Sequence, residues 1–153
     1  MGTGPTTFLS SVRQPYALIL MSPYTSIKNA AKAILGWASF LGFLVQEKFR
    51  NIDSITETNC PVMVIHGKMD TLIPPSHGID LFNAANPNVP ALLHMPAKMD
   101  HNEFQLEGDL VDPIKEFVTR IKKAVNPVKD KPKKIVESSK EDDSDSFEEK
   151  NSN

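Results

Sequence analysis

The sequence predicts an α/β fold on a parallel sheet, on the strength of three observations. Three apolar runs of four to six residues stand out, each closed off by proline or glycine. None of them alternates polar with apolar, which marks strands buried on both faces, the parallel-sheet case. Helical patterns lie between and after them. The order strand, helix, strand, helix, strand, helix then requires right-handed crossovers, with helices on both faces of the sheet.

The first strand is Tyr16-Ala-Leu-Ile-Leu-Met21, stopped by Ser22-Pro23. A presumed helix containing Ser10 and Ser11 precedes it. Ser26 to Phe49 is helix-permissive, yet around Ile34, Leu35, Trp37, Phe40, Leu41, Phe43, Leu44 and Val45 it is apolar nearly all the way round. Such a segment must bury on several sides, so residues 26–49 read as a core helix hairpin or helical cap over a pocket, with an apolar lid touching a membrane or acyl chain as the alternative. The second strand is Val62-Met-Val-Ile65, entered from Pro61 and left through His66-Gly67. A helix follows over Pro75 to Ala85, opened by proline and carrying Ile79, Leu81 and Phe82. The third strand, Ala91-Leu-Leu-His-Met95, lies between Pro90 and Pro96. Last comes a helix over Leu110 to Val125, with Leu110, Ile114, Phe117, Val118, Ile121 and Val125 on one face.

The chain of 153 residues is 40% apolar and 24% charged. It divides into a folded part, residues 1–125, and a charged, serine-rich stretch, residues 126–153, too poor in apolar residues to offset the entropy of ordering. That stretch reads as a disordered solubility tail. The alternative is a phosphorylated interaction tail that docks a protein partner through its acidic residues, since Ser138, Ser139 and Ser146 each have an acidic residue three positions on. The tail holds eight acidic and six basic residues, leaving eleven of each before it. With no basic stripe to hold phosphates, no nucleic-acid partner is expected. The longest near-apolar run, Ile34 to Val45, is shorter than the roughly 18 residues of a membrane span, so no transmembrane segment is expected. Cys60 is the one cysteine, which excludes an internal disulfide and fits a reducing, cytoplasmic compartment.

Two strings carry chemistry. In Val64-Ile-His-Gly-Lys-Met-Asp70 a buried strand ends and a carboxylate follows, at the carboxyl edge of the sheet where α/β proteins place their sites. In Met99-Asp-His101-Asn an imidazole follows the third strand, 31 residues beyond Asp70. A carboxylate and a histidine so placed can meet, the Asp fixing the tautomer and the His exchanging protons with a nucleophile. Asp70 and His101 are therefore the candidate catalytic residues; the bland alternative is a turn-capping Asp and a surface His. The other groups read as structural. Cys60 is an inert buried thiol, His66 a strand-end packing residue, His77 a surface or capping residue at a helix start, and His94 a satisfied buried imidazole. Ser10, Ser11, Ser22 and Ser26 lack the glycine turn of an activated nucleophile. No metal-ligand spacing and no P-loop is present, so neither metal nor cofactor is expected.

Taken together, these strings resemble the C-terminal half of the α/β-hydrolase fold, whose triad order is Ser, then Asp or Glu, then His. More narrowly, Phe49-x-x-Ile-Asp-x-Ile55, the Val64 to Asp70 string, Ser76-His-Gly78 and His101-Asn102 resemble the alpha/beta-hydrolase domain-containing 17 family. The resemblance runs from about Met1 to Val125. It implies a three-strand parallel portion of that fold, with helices on both faces and a cap-like insertion, and a serine hydrolase that removes palmitate from proteins at membranes. The substrate would then be an acyl ester or thioester on a lipidated protein, with the full-length form peripheral at a membrane. Two departures stand out: the cap-like stretch Ile27 to Val45, and Asp100 where the family usually has glycine. Aligned on the family, Gly2-Thr-Gly-Pro5 follows the nucleophile elbow and Gly2 is the last glycine of G-x-S-x-G. The serine would then precede Met1, leaving this chain truncated and inactive by itself. A peptidase-type α/β-hydrolase and a non-catalytic binding module are the alternative functions.

Overall fold

Three short parallel strands organise the computed structural model, which describes residues 2–35 and 49–125. They are β1 (Leu18–Met21), β2 (Val62–Ile65) and β3 (Ala91–His94), in the order β1-β2-β3. Leu18 pairs with Val62 and Val62 with Ala91, so the three strands run in step to Met21, Ile65 and His94. Prolines frame this ladder. Pro61 and Pro90 accept from Leu18 and Val62 at 2.8 and 2.9 Å, and Pro96, which has no N–H to donate, lies just past the end of β3. The strands are accordingly shorter than the apolar runs: Tyr16 stays exposed ahead of β1, and Met95 falls outside β3.

All four residues of β2 are buried, as a central strand requires. Successive side chains alternate between two apolar layers. Leu18, Leu20, Val62 and Val64 pack on one face with Leu81 of helix α4 (Ser76–Ala84) and with Ile52 and Ile55. The last two come from the short helix α3 (Asn51–Ser54) and the 3-10 turn that continues it through Glu57. Met63 and Ile65 pack on the other face with Phe117 and Ile121 of helix α5 (Asp112–Val125) and with Met99. Each fully buried aliphatic side chain contributes roughly 1.5–3 kcal/mol, so β2 anchors both layers.

Helix α1 (Thr3–Val12) precedes β1, and helix α2 (Ile27–Leu35) opens the predicted cap; residues 36–48 of the cap and the whole tail lie outside the described residues. The single helix expected from Leu110 begins instead with a wide π-type turn, Leu106–Val111, ahead of α5. Pro113 explains the change of geometry, since it lacks the N–H that would bond backward into the preceding turn.

Candidate active site

Asp70 and His101 come together at the carboxyl edge of the sheet. Behind β2 the chain passes through His66-Gly67, where Met69 N–H donates to the Met99 carbonyl at 3.1 Å. A Cβ on Gly67 would overlap the Met99 carbonyl, so only glycine lets the two loops touch here. The contact ties the segment bearing Asp70 to the one bearing His101.

Asp70 closes an Asx-type turn, its Oδ1 accepting from the Leu72 and Ile73 N–H groups at 3.0 and 2.8 Å. Its Oδ2 accepts from His101 Nδ1 at 2.8 Å. The Asp70 side chain is 0% exposed and that of His101 27%. Burial by itself would raise the Asp70 pKa, but the Ile73 N–H, the His101 hydrogen bond and its charge, and more weakly the Ser22 hydroxyl outweigh it. The carboxyl therefore titrates below the usual carboxylate value. An ionised carboxylate only accepts, so His101 Nδ1 carries the hydrogen and the lone pair of the neutral ring is on Nε2.

His101 lines a cavity of about 450 Å³. Met21, Ile27, Ala30, Leu72 and Ile73 give it an apolar wall. Its polar positions besides His101 are Ser22 and Thr3, at the start of α1, with the Tyr24 phenol against the same helix end. The N-terminus of α1 thus brings the positive end of a helix dipole to the cavity. Two other depressions, of about 500 and 460 Å³, contain neither Asp70 nor His101.

Several residues differ from their sequence-based reading. Ser22 follows β1 with φ of 43°, and its buried Oγ interacts only weakly with the Asp70 carboxyl. It lines the cavity without bonding His101. His77 is buried rather than on the surface, its Nδ1 accepting from the Thr25 N–H at 3.3 Å and lying 2.9 Å from the Thr25 hydroxyl. His94 has an unpartnered Nε2 in place of the satisfied ring expected. His66 packs at the strand end as expected and also reaches the site, with Nε2 3.5 Å from Asp70 Oδ2. Its neighbour in sequence, Gly67, was the available signal, but the contact depends on how the loop closes. Asp100 caps the His101 turn by accepting from Asn102 N–H at 3.2 Å. Cys60 is buried, which pushes its thiol pKa up and makes it unreactive. Among the described residues no group of three side chains could hold a metal ion, and no helix is long and apolar enough to cross a membrane.

Burial of His66 and His77 also sets a pH dependence. Desolvation, the largest influence on each, lowers both pKa values below 6.5, so near that pH the unfolded chain binds protons that the folded one does not. Their contribution to stability is complete above about pH 6.5 and is lost as pH falls toward the folded-state values. Urea denaturation at several pH values should give a plateau on the neutral side and a decline on the acid side, flattened in His77→Gln. Stability that rises on acidification would contradict this.

No protein-family model matches the chain. Curated relatives do. It is 33% identical over 120 residues to alpha/beta hydrolase domain-containing protein 17B of Xenopus tropicalis, covering 78% of this chain and 39% of that protein. It is 30% identical over 119 residues to protein 17C of Mus musculus, covering 78% and 35%. The chain thus spans about two fifths of the curated relatives it matches. Among solved structures, a Pyrococcus horikoshii acylaminoacyl peptidase superposes with a TM-score of 0.57 at 14% identity, over 79% of this chain and 22% of that one. An esterase domain from a Rhodothermus marinus protein superposes at 0.58 and 11%, over 79% and 56%. These likenesses establish the fold: three parallel strands with their helices form a portion of the α/β-hydrolase fold.

Proposed function

We propose that this chain, which has the α/β-hydrolase fold and resembles the domain-containing 17 proteins over 78% of its length, supplies the acid and the histidine of a serine-hydrolase site. The substrate is an ester or thioester with an apolar acyl group. One observation carries the reading: a fully buried carboxylate holds, at 2.8 Å, an imidazole that opens onto an apolar cavity.

In this reading a serine from sequence preceding Met1 attacks the acyl carbonyl carbon while His101 Nε2 takes the hydroxyl proton. The resulting imidazolium is stabilised by Asp70 and returns the proton to the leaving alkoxide or thiolate as the carbon–oxygen or carbon–sulfur bond breaks. Water then repeats the sequence on the acyl-enzyme and releases the acid. Positive charge from the start of α1 favours the oxyanion that forms on the way. The acyl chain lies along Met21, Ile27, Leu72 and Ile73. Protein depalmitoylation by a form held peripherally at a membrane is the specific case that the family resemblance implies.

The test is the transcript sequence upstream of Met1 and the behaviour of the protein it encodes. A Gly-x-Ser immediately before Met1 is expected. The extended protein should label with a fluorophosphonate probe and hydrolyse acyl thioesters faster than aminoacyl amides, and His101→Ala should abolish both. An in-frame stop without those codons, together with an unlabelled chain, would leave the non-catalytic binding module as the reading.

A further inference from the structure

We propose that His66 is a positioning residue that braces the loop carrying Asp70, so that the carboxylate stays aimed at His101. The inference rests on the reading of Asp70 and His101 as a working pair, and the geometry forms a relay. His66 Nε2 lies 2.9 Å from the carbonyl of Ile73, at the far end of the loop that His66 begins. The N–H of that same Ile73 donates to Asp70 Oδ1 at 2.8 Å, and Asp70 Oδ2 accepts from His101. Thus His66 fixes Ile73, Ile73 fixes Asp70, and Asp70 fixes the His101 tautomer.

A carbonyl oxygen only accepts, so His66 Nε2 must carry the hydrogen. That places the lone pair on Nδ1, which is buried and without a partner. It faces Gly78, where a Cβ would come within 2.6 Å of it. A proton on Nδ1 would find no acceptor there, so the ring serves as a neutral donor and not as a second base. Its side chain is 0% exposed and takes no part in lining the cavity, which excludes contact with a substrate. The glycine of Ser76-His-Gly78 thereby gains a purpose: it makes room for the brace.

The tautomer of His101 reports on this relay independently of any catalysis. Side-chain ¹⁵N shifts of His101, measured on the full chain in mildly alkaline solution, should show the Nδ1–H form predominating. His66→Gln, whose amide N–H falls near the position of Nε2, should retain that form. His66→Leu should shift His101 to a majority of the Nε2–H form usual for a free imidazole. If His66→Leu fails to fold, Gly78→Ala applies the same test by pushing the ring off the Ile73 carbonyl, with the same shift expected. A folded His66→Leu or Gly78→Ala chain that keeps the Nδ1–H form overturns the inference while leaving the pair intact. An Nε2–H majority in the unmodified chain overturns the pair and this inference with it. Failure of the extended protein to hydrolyse esters would count against the proposed function alone.

Discussion

Asp70→Asn in the upstream-extended protein is expected to lower kcat for a short acyl ester by about 10⁴-fold, the loss that follows when the histidine of a Ser-His-Asp triad is left in the wrong tautomer. The hydrogen bonds dictate this outcome. At position 70 the side-chain oxygen must remain where Oδ1 is, because the Leu72 and Ile73 N–H groups both point at it. The carboxamide nitrogen of asparagine then replaces Oδ2, the atom that now accepts from His101 Nδ1 at 2.8 Å. Two donors would face each other. The imidazole escapes by moving its hydrogen to Nε2, and the atom meant to receive the serine proton is already protonated. KM should change little, since Asp70 lies behind His101 and does not line the cavity. Glu107→Gln, at an exposed position on the turn before α5, should leave kcat unchanged. A fall of less than tenfold in Asp70→Asn would show that the pair does not carry the proton transfer.

This pair was legible in the sequence because each member follows a strand with an unmistakable boundary. Pro61 and Gly67 bracket β2, Pro90 and Pro96 bracket β3, and parallel strands in step bring whatever follows them to one edge. The layers were legible for the same reason at β2, where uninterrupted apolar residues do mean burial on both faces, but β3, at the sheet edge, is exposed at Ala91 and half-buried beyond it. What surrounds the pair was not. His66 and His77 read as ordinary end-of-strand and start-of-helix residues, and their roles depend on the closure of the loop at Ile73 and the approach of Thr25. Those contacts join segments 7 and 52 residues apart, and no local pattern encodes them. The strained backbone at Ser22 was hidden likewise, since a serine gives no sign that its φ will be positive.

The same closeness of loops makes Gly67→Ala the substitution with the largest expected effect on stability. The added Cβ would collide with the backbone carbonyl of Met99 and sit 2.8 Å from the Met99 Cγ. A side chain can turn away, but a carbonyl in a hydrogen-bonded turn cannot. To relieve the overlap the two loops must part, which strains the Met69 N–H to Met99 carbonyl bond and the neighbouring Lys68 N–H to Pro96 carbonyl bond, now 3.1 and 3.0 Å. Overpacking at a rigid site costs about 1–3 kcal/mol and each hydrogen bond about 1 kcal/mol, so a loss of roughly 4 kcal/mol is expected from urea denaturation. The double variant Gly67→Ala with Met99→Ala should recover none of it, because it removes Cγ and leaves the carbonyl in place. Gly108→Ala provides the control: its new Cβ would meet nothing nearer than Gln105 Oε1 at 3.8 Å, an ordinary contact, and stability should stay within about 0.5 kcal/mol. Equal stability of Gly67→Ala and the unmodified chain would mean that the two loops do not touch. Asp70 and His101 would then lose the contact that holds their segments together, and the site would have to be assembled by something else.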